Sequence, residues 1–248
     1  MNVFRTGAGK TDSALRALGA FWLDVVFPPI CAHCGRVGWL ICPSCRAQMN
    51  PVPHAICPHC GRMDDQPLSA GTSVLCRQCR THPPVASQMR APLRYEEPTS
   101  TLIHQFKYEG YSALGRPLAR FLIDGWPAWD NSPDLIMPIP LHPQRRRQRG
   151  YNQAELLARP LAEAMNVPMN TSALRRTRHT VPQVGLGPEE RRHNVHGAFA
   201  VEPNAVREHH ILLIDDVLTT GATMSAAAET LMAAGAASVA AYCLARVS

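Results

Sequence analysis

Residues 211–223 read Ile-Leu-Leu-Ile-Asp-Asp-Val-Leu-Thr-Thr-Gly-Ala-Thr, a run that few folds accommodate. Four apolar residues bounded by a turn signal describe a strand buried on both faces, as in a parallel sheet. Asp215 and Asp216 then stand at its carboxyl end, where open α/β sheets bind ligands. Thr219, Thr220, Gly221, Ala222 and Thr223 open an Ala-rich helix whose free N–H groups and hydroxyls can hold a phosphate. A buried strand followed by an ordinary capped helix accounts for the apolar run and Thr219. It leaves two adjacent acids beside a hydroxyl-and-glycine loop unexplained. Acids for ribose hydroxyls and a loop for a 5′-phosphate together suit a sugar phosphate.

The second constraint is cysteine spacing. Eight of the nine cysteines fall within residues 31–79 as four pairs with two intervening residues: Cys31/Cys34, Cys42/Cys45, Cys57/Cys60 and Cys76/Cys79. Cys-x-x-Cys-Gly-Arg occurs at 31–36 and again at 57–62, and each copy is followed by another pair. Such a duplication predicts two sequential ribbons, one zinc held by the first four cysteines and one by the last four. A crossed pairing also satisfies the spacing. Redox chemistry fits less well, because no pair sits in a βαβ context. With all ligands cysteine, both sites are structural, and metal supplies most of the folding energy of so small a region. His33, His54 and His59 are read as solvated loop residues, and Cys243 as a small buried hydrophobe.

Thr11, Asp12 and Ser13 form an N-cap, followed by Leu15, Leu18, Trp22 and Val25/Val26 at helical spacing and a Pro28-Pro29 stop. Residues 12–27 are thus expected to be an amphipathic helix. Arg16 and Asp24 interrupt the run as a signal peptide, and no stretch has the length of a membrane span. The expected location is cytoplasmic, where paired cysteines bind metal rather than form disulfides.

Between ribbon and signature, the alternation in residues 91–95 predicts a strand, and Thr99–Lys107 and Ser112–Ile123 predict helices split by Gly110. Lys107 is read equally well as a C-terminal cation meeting the helix dipole and as a substrate contact. Asp134–Pro138 is a short strand leading to Leu141, His142, Arg145, Arg149 and Gly150, ahead of a helix over 154–165. Arginine forks beside a helix start make a second anion site, against the plainer reading of a solvated basic loop. Residues 174–199 are basic and Gly-hinged, and include Arg176, Arg178, Gln183, Arg191 and Asn194. They are expected to form a lid that closes over a polyphosphate; the alternative is a surface loop without a role.

The strand–acid–loop segment resembles the signature of type I phosphoribosyltransferases, enzymes that use phosphoribosyl pyrophosphate (PRPP). Taken with the cysteine pairs, Leu102–Lys107, Pro138–Leu141, Arg149–Gln153, Gln183, Arg191, Asn194 and residues 197–199, the chain is similar to the ComF family. That resemblance implies an α/β fold with a flanked parallel sheet over 90–248 and a double zinc ribbon over 28–82. It implies that Asp215 and Asp216 contact the PRPP ribose and residues 219–223 its 5′-phosphate. Leu141–Gly150 then form the pyrophosphate loop, residues near 176–194 a flexible lid, and Mg2+ arrives with the pyrophosphate. It also implies a link to DNA uptake and utilisation.

Two functions follow. One is transfer of phosphoribosyl from PRPP to an unknown nitrogen acceptor, driven by positioning and charge stabilisation. The other is handling of single-stranded DNA, or PRPP sensing, with the fold used for binding. The net charge of +6, almost all from arginine, suits either polyphosphate or nucleic acid. A third role, in which the ribbons bind a protein of the DNA-uptake machinery, has no sequence feature to test it.

Overall fold

The computed structural model describes residues 28–53, 56–63, 75–178 and 197–247. The expected helix over 12–27 lies outside the described residues.

Two copies of one small unit open the described chain. In the first, Ile30 and Val37 form an antiparallel bridge, and Cys42 precedes the short helix α1 (Pro43–Ala47). In the second, Ile56 bridges Met63, and Cys76 precedes α2 (Arg77–Thr81). The backbone repeats too: Cys31 N donates to Arg36 O and Cys57 N to Arg62 O, each at 2.8 Å.

The body is a parallel sheet. β1 (Met89–Arg90) and β2 (Leu93–Arg94) both pair with β7 (Ser238–Arg246), which pairs with β6 (His210–Leu218), which pairs with β3 (Leu135–Pro138). The single strand expected over residues 91–95 is two short ones. Between them lie Ala91 and Pro92, and proline has no N–H to give to a ladder. Ile211 and Leu213 of β6 pack on one face with Met224, Ala227 and Leu231 of α7 (Ala222–Ala233). Leu212 and Ile214 pack on the other with α3 (Thr99–Tyr108), α4 (Gly115–Asp124) and α6 (Gln153–Met165). Helices on both faces explain why β6 is apolar without alternation. A two-stranded antiparallel pair, β4 (Leu174–Arg176) with β5 (Phe199–Val201), stands beside α7.

One expectation is corrected. The strand does not stop before the acids: Asp215 pairs with Cys243, Val217 with Ala245 and Leu218 with Arg246. The long apolar β7 holds its neighbour in register past the carboxylates.

Both ribbons are moored to this sheet. Pro51 bridges Leu93, Arg94 N donates to Asn50 O at 2.9 Å, and Arg46 pairs with Asp124 at 3.2 Å. The second ribbon is tied through Met89 N to His59 O at 2.8 Å and Arg90 Nη2 to Pro58 O at 2.6 Å.

Candidate functional site

A cleft of about 920 Å3 opens where β3 and β6 end. Asp215, Asp216, Thr219 and Thr223 line it. Leu141, Arg145, Arg149, Arg176 and Lys107 line the same cleft. Residues from four separate stretches of sequence therefore meet.

Each side chain is placed by its element. Asp216 is buried, and its Oδ1 lies 2.8 Å from Lys107 Nζ. Burial works against the Lys107 ammonium, but the Asp216 carboxylate outweighs it and holds the lysine above its ordinary pKa. Lys107 is thus more than a cation at a helix end. Asp215 Oδ1 accepts from the backbone N–H of Asp216 at 2.9 Å. Burial and the neighbouring Asp216 charge push Asp215 up to about 7, against the pull of Lys107. One acid is matched by a lysine and the other is poised near neutrality.

The turn after β6 divides its residues. Thr219 and Thr223 face the cleft, while Thr220 and Ala222 line a smaller cavity behind it. Gly221 is the N-cap of α7 with φ +77°, and a Cβ there would stand 3.0 Å from Met89 Sδ. Only glycine fits both the left-handed backbone and the contact.

The segment expected as a pyrophosphate loop is a short helix, α5 (Pro143–Arg149), with His142 as N-cap and Gly150 as left-handed C-cap. Proline at its start and glycine at its end favour that helix. Helical spacing sorts its arginines. Arg145 and Arg149, four apart, line the cleft, whereas Arg146 and Arg147 are exposed and Arg146 pairs with Glu155 at 3.5 Å. Arg149 Nη1 donates to Gln153 Oε1 at 3.1 Å, and its guanidinium lies 4.9 Å over the Tyr108 ring. Burial and the Arg149 charge lower Arg145; burial and the Arg145 charge lower Arg176. Cations that depress one another in a shared cleft favour an anionic occupant.

His142, Gly150, Thr220, Gly221, Ala222 and Arg178 are not on the cleft wall. Gln183, Arg191 and Asn194 lie outside the described residues. Sequence reading missed Tyr108, which lines the cleft, and named His104, Gln148 and Asn152, which also line it, only within longer segments. His104 was detectable, since it shares the helical face of Lys107 at i−3, and Tyr108 follows His104 at i+4, their rings 5.0 Å apart. Asn152 had a signal as well: it caps α6, accepting from Ala154 N at 3.1 Å, while its Nδ2 donates to Ile139 O at 3.0 Å.

The metal centres follow sequential pairing. Cys31, Cys34, Cys42 and Cys45 form one cluster and Cys57, Cys60, Cys76 and Cys79 the other, each with all sulfurs within 4.8 Å of one another. Cys34 and Cys42 sulfurs are 3.6 Å apart, and those of Cys60 and Cys76 3.7 Å. A tetrahedron with Zn–S bonds of about 2.3 Å has edges of about 3.8 Å, so the residues fit zinc. Against burial, backbone N–H groups of Cys76, Cys60 and His59 bring Cys57 down to about 7, which favours the thiolate a metal needs. His33 is not a free surface residue: Nδ1 is 3.4 Å from Cys45 Sγ and Nε2 3.4 Å from Glu97. His59 is half-buried, and its carbonyl holds Met89. His54 lies outside the described residues.

No helix among the described residues is long and apolar enough to cross a membrane.

Residues 22–86 match the double zinc ribbon domain family and residues 151–248 the phosphoribosyl transferase domain family. The chain is 35% identical over 222 residues to the DNA utilization protein YhgH of Escherichia coli, covering 88% of each chain. It is 34% identical to competence protein F of Haemophilus influenzae, covering 69% of this chain and 78% of that one. With competence protein ComFC of Bacillus subtilis the identity is 28%, over 83% and 84%. Among solved structures it resembles the Bacillus subtilis glutamine PRPP amidotransferase, at 20% identity and TM-score 0.33, over 54% of this chain and 26% of that one. Adenine phosphoribosyltransferase of Leishmania tarentolae matches at 17% identity and TM-score 0.33, over 60% and 61%.

Proposed function

Because the chain belongs to the ComF family, in which a double zinc ribbon is joined to a phosphoribosyltransferase-type domain, we propose that its cleft binds PRPP and transfers the phosphoribosyl group to a nitrogen acceptor. The observation that carries this reading is the cleft's lining, which brings two acids and the hydroxyls of Thr219 and Thr223 together with Arg145, Arg149 and Arg176. PRPP carries groups that match these in kind: ribose hydroxyls, a 5′-phosphate and a pyrophosphate.

In this reading Asp215 and Asp216 accept hydrogen bonds from the ribose hydroxyls. Thr219 and Thr223 donate to the 5′-phosphate, and the arginines hold the pyrophosphate. The acceptor nitrogen forms a bond to C1, and the C1–O bond breaks with its electrons leaving on the pyrophosphate. Charge gathers on that leaving group, so fixed guanidinium forks assist most in the transition state. Magnesium would supply further charge neutralisation on the pyrophosphate, and Asp215, the acid not paired to Lys107, would offer it a hard oxygen donor. Lys107 orients Asp216 through the 2.8 Å contact.

Calorimetric titration of the zinc-loaded chain with PRPP and Mg2+ tests this. Wild type binds, and the Asp215→Asn/Asp216→Asn double variant loses binding by at least about tenfold. Equal binding by the two sinks the site assignment. A screen of amines, nucleobases and oligonucleotides for pyrophosphate release then tests turnover. The names of the relatives favour a second reading, in which the fold handles single-stranded DNA without transfer. It expects oligonucleotide affinity that falls steeply with salt, and no pyrophosphate release with any acceptor.

A further inference from the structure

Behind the phosphate turn lies a second cavity, of about 240 Å3, between the second zinc centre and one face of α7. Arg62, His82, Thr220, Ser225, Glu229 and Arg246 are on its wall. It is separate from the cleft: the two share no lining residue.

Arg246 is the informative group. The residue is only 3% exposed. Its Nη2 lies 4.0 Å from Cys60 Sγ, while Nε and Nη1 find no hydrogen-bond partner among the described residues. Buried donors of a charged group are expensive to leave unmatched. The nearby Arg90 shows the contrast: its Nη1 donates to Met89 O at 2.9 Å and its Nη2 to Pro58 O at 2.6 Å. Arg90 is committed to mooring the ribbon, and Arg246 keeps a two-donor edge in hand.

The charges agree. A zinc bound by four thiolates carries a net charge of about −2. Arg246 faces those thiolates, and Arg90 faces them together with Asp130. Arg62, half-buried and donating to Gln78 Oε1 at 3.0 Å, adds a further cation near Arg246. Glu229 is exposed, where solvent screens it. A volume below the roughly 300–1,000 Å3 of drug-sized sites suits a small group rather than a second PRPP.

We propose that this cavity is a second ligand site, taking the phosphate or carboxylate of a small metabolite on the Nε/Nη1 edge of Arg246, with Arg62 completing the anion clamp and Thr220 carrying contact to the back of the phosphate turn. Two parallel N–H donors match an oxoanion bidentately. The site depends on neither PRPP binding nor turnover.

The test is anomalous diffraction from crystals of the zinc-loaded full chain soaked in selenate, with inorganic phosphate and formate titrated in solution. A selenate peak within hydrogen-bond distance of Arg246 Nε and Nη1 is expected. A peak at residues 219–223 alone, or only water at Arg246, overturns the proposal. In solution, Arg62→Gln, and Ser225→Leu as a plug that leaves both arginines in place, are each expected to weaken this binding by at least about tenfold. Unchanged affinity in both variants also overturns it. Comparing the two probes separates a phosphate site from a carboxylate site. Arg246→Gln is a harsher variant, and Arg62→Gln and Ser225→Leu keep the test independent of whether it folds.

Discussion

Asp215 is stable only as a compromise. Its pKa rises from the ordinary 3.8 to about 7 through burial and the Asp216 charge. The native state therefore holds a proton that the unfolded chain releases between about pH 4 and 7. The group's favourable contribution is full below the unfolded value and is lost as pH rises through 7. The ligand-free protein should lose stability from pH 5 to pH 8, by up to a few kcal/mol, since each tenfold difference in proton affinity between the two states is worth about 1.4 kcal/mol. Asp215→Asn should flatten that slope and melt higher than wild type at pH 8 while losing PRPP binding; parallel melting profiles for the two proteins count against it. Lys107 and Asp216 make a second residue-scale case. Lys107→Met leaves a buried carboxylate unpaired and should cost about 3 kcal/mol, whereas Lys107→Met/Asp216→Asn should cost less than the sum of the single changes. Additive denaturant midpoints would show no coupling. The acids were legible in sequence because they interrupt an apolar run. Their pairing was not, since Lys107 sits on a helix far away in the chain and only the packing of α3 over β6 brings it near.

Elements were read well where periodicity was strong. β3, β6, α3 and α6 follow from apolar runs or helical spacing, and the paired cysteines announced both ribbons. What escaped was geometry set by neighbours. β6 runs past its acids because β7 pairs with it as far as Leu218, and residues 143–149 form a helix that divides its arginines between cleft and solvent. The turn between β6 and α7 yields the sharpest test at this scale. Gly221→Ala needs a left-handed alanine and crowds Met89 Sδ at 3.0 Å, a cost of about 1–3 kcal/mol. PRPP affinity should fall, since Thr219 and Thr223 are placed by this turn. A variant of wild-type affinity would show that the turn has slack that the contact with Met89 does not suggest.

For the molecule as a whole, the ribbons brace the phosphoribosyltransferase-type domain. Gly61 packs so closely that a Cβ would lie 2.4 Å from Met89 O, and Met89 in turn touches Gly221. The second metal centre is thus one residue removed from the turn between β6 and α7, whereas the first is moored at Asp124 and Leu93. Chelating zinc should lower both the melting temperature and PRPP affinity. Cys57→Ser should reduce affinity more than Cys31→Ser does, as judged by titration at a temperature where both variants remain folded. Equal losses would mean that metal acts through overall stability alone.

The order of the strands also bears on how the chain matures as it is synthesised. β7 follows every other described element, yet β1, β2 and β6 all pair with it. The cysteine knuckles emerge early and can take metal while the ribosome is still translating. The seat they dock on is unfinished until residues 238–246 have left the exit tunnel. Nascent chains carry an assembled metal module beside half a sheet, with the apolar edge of β6 uncovered, and that interval is when they are most in need of a chaperone.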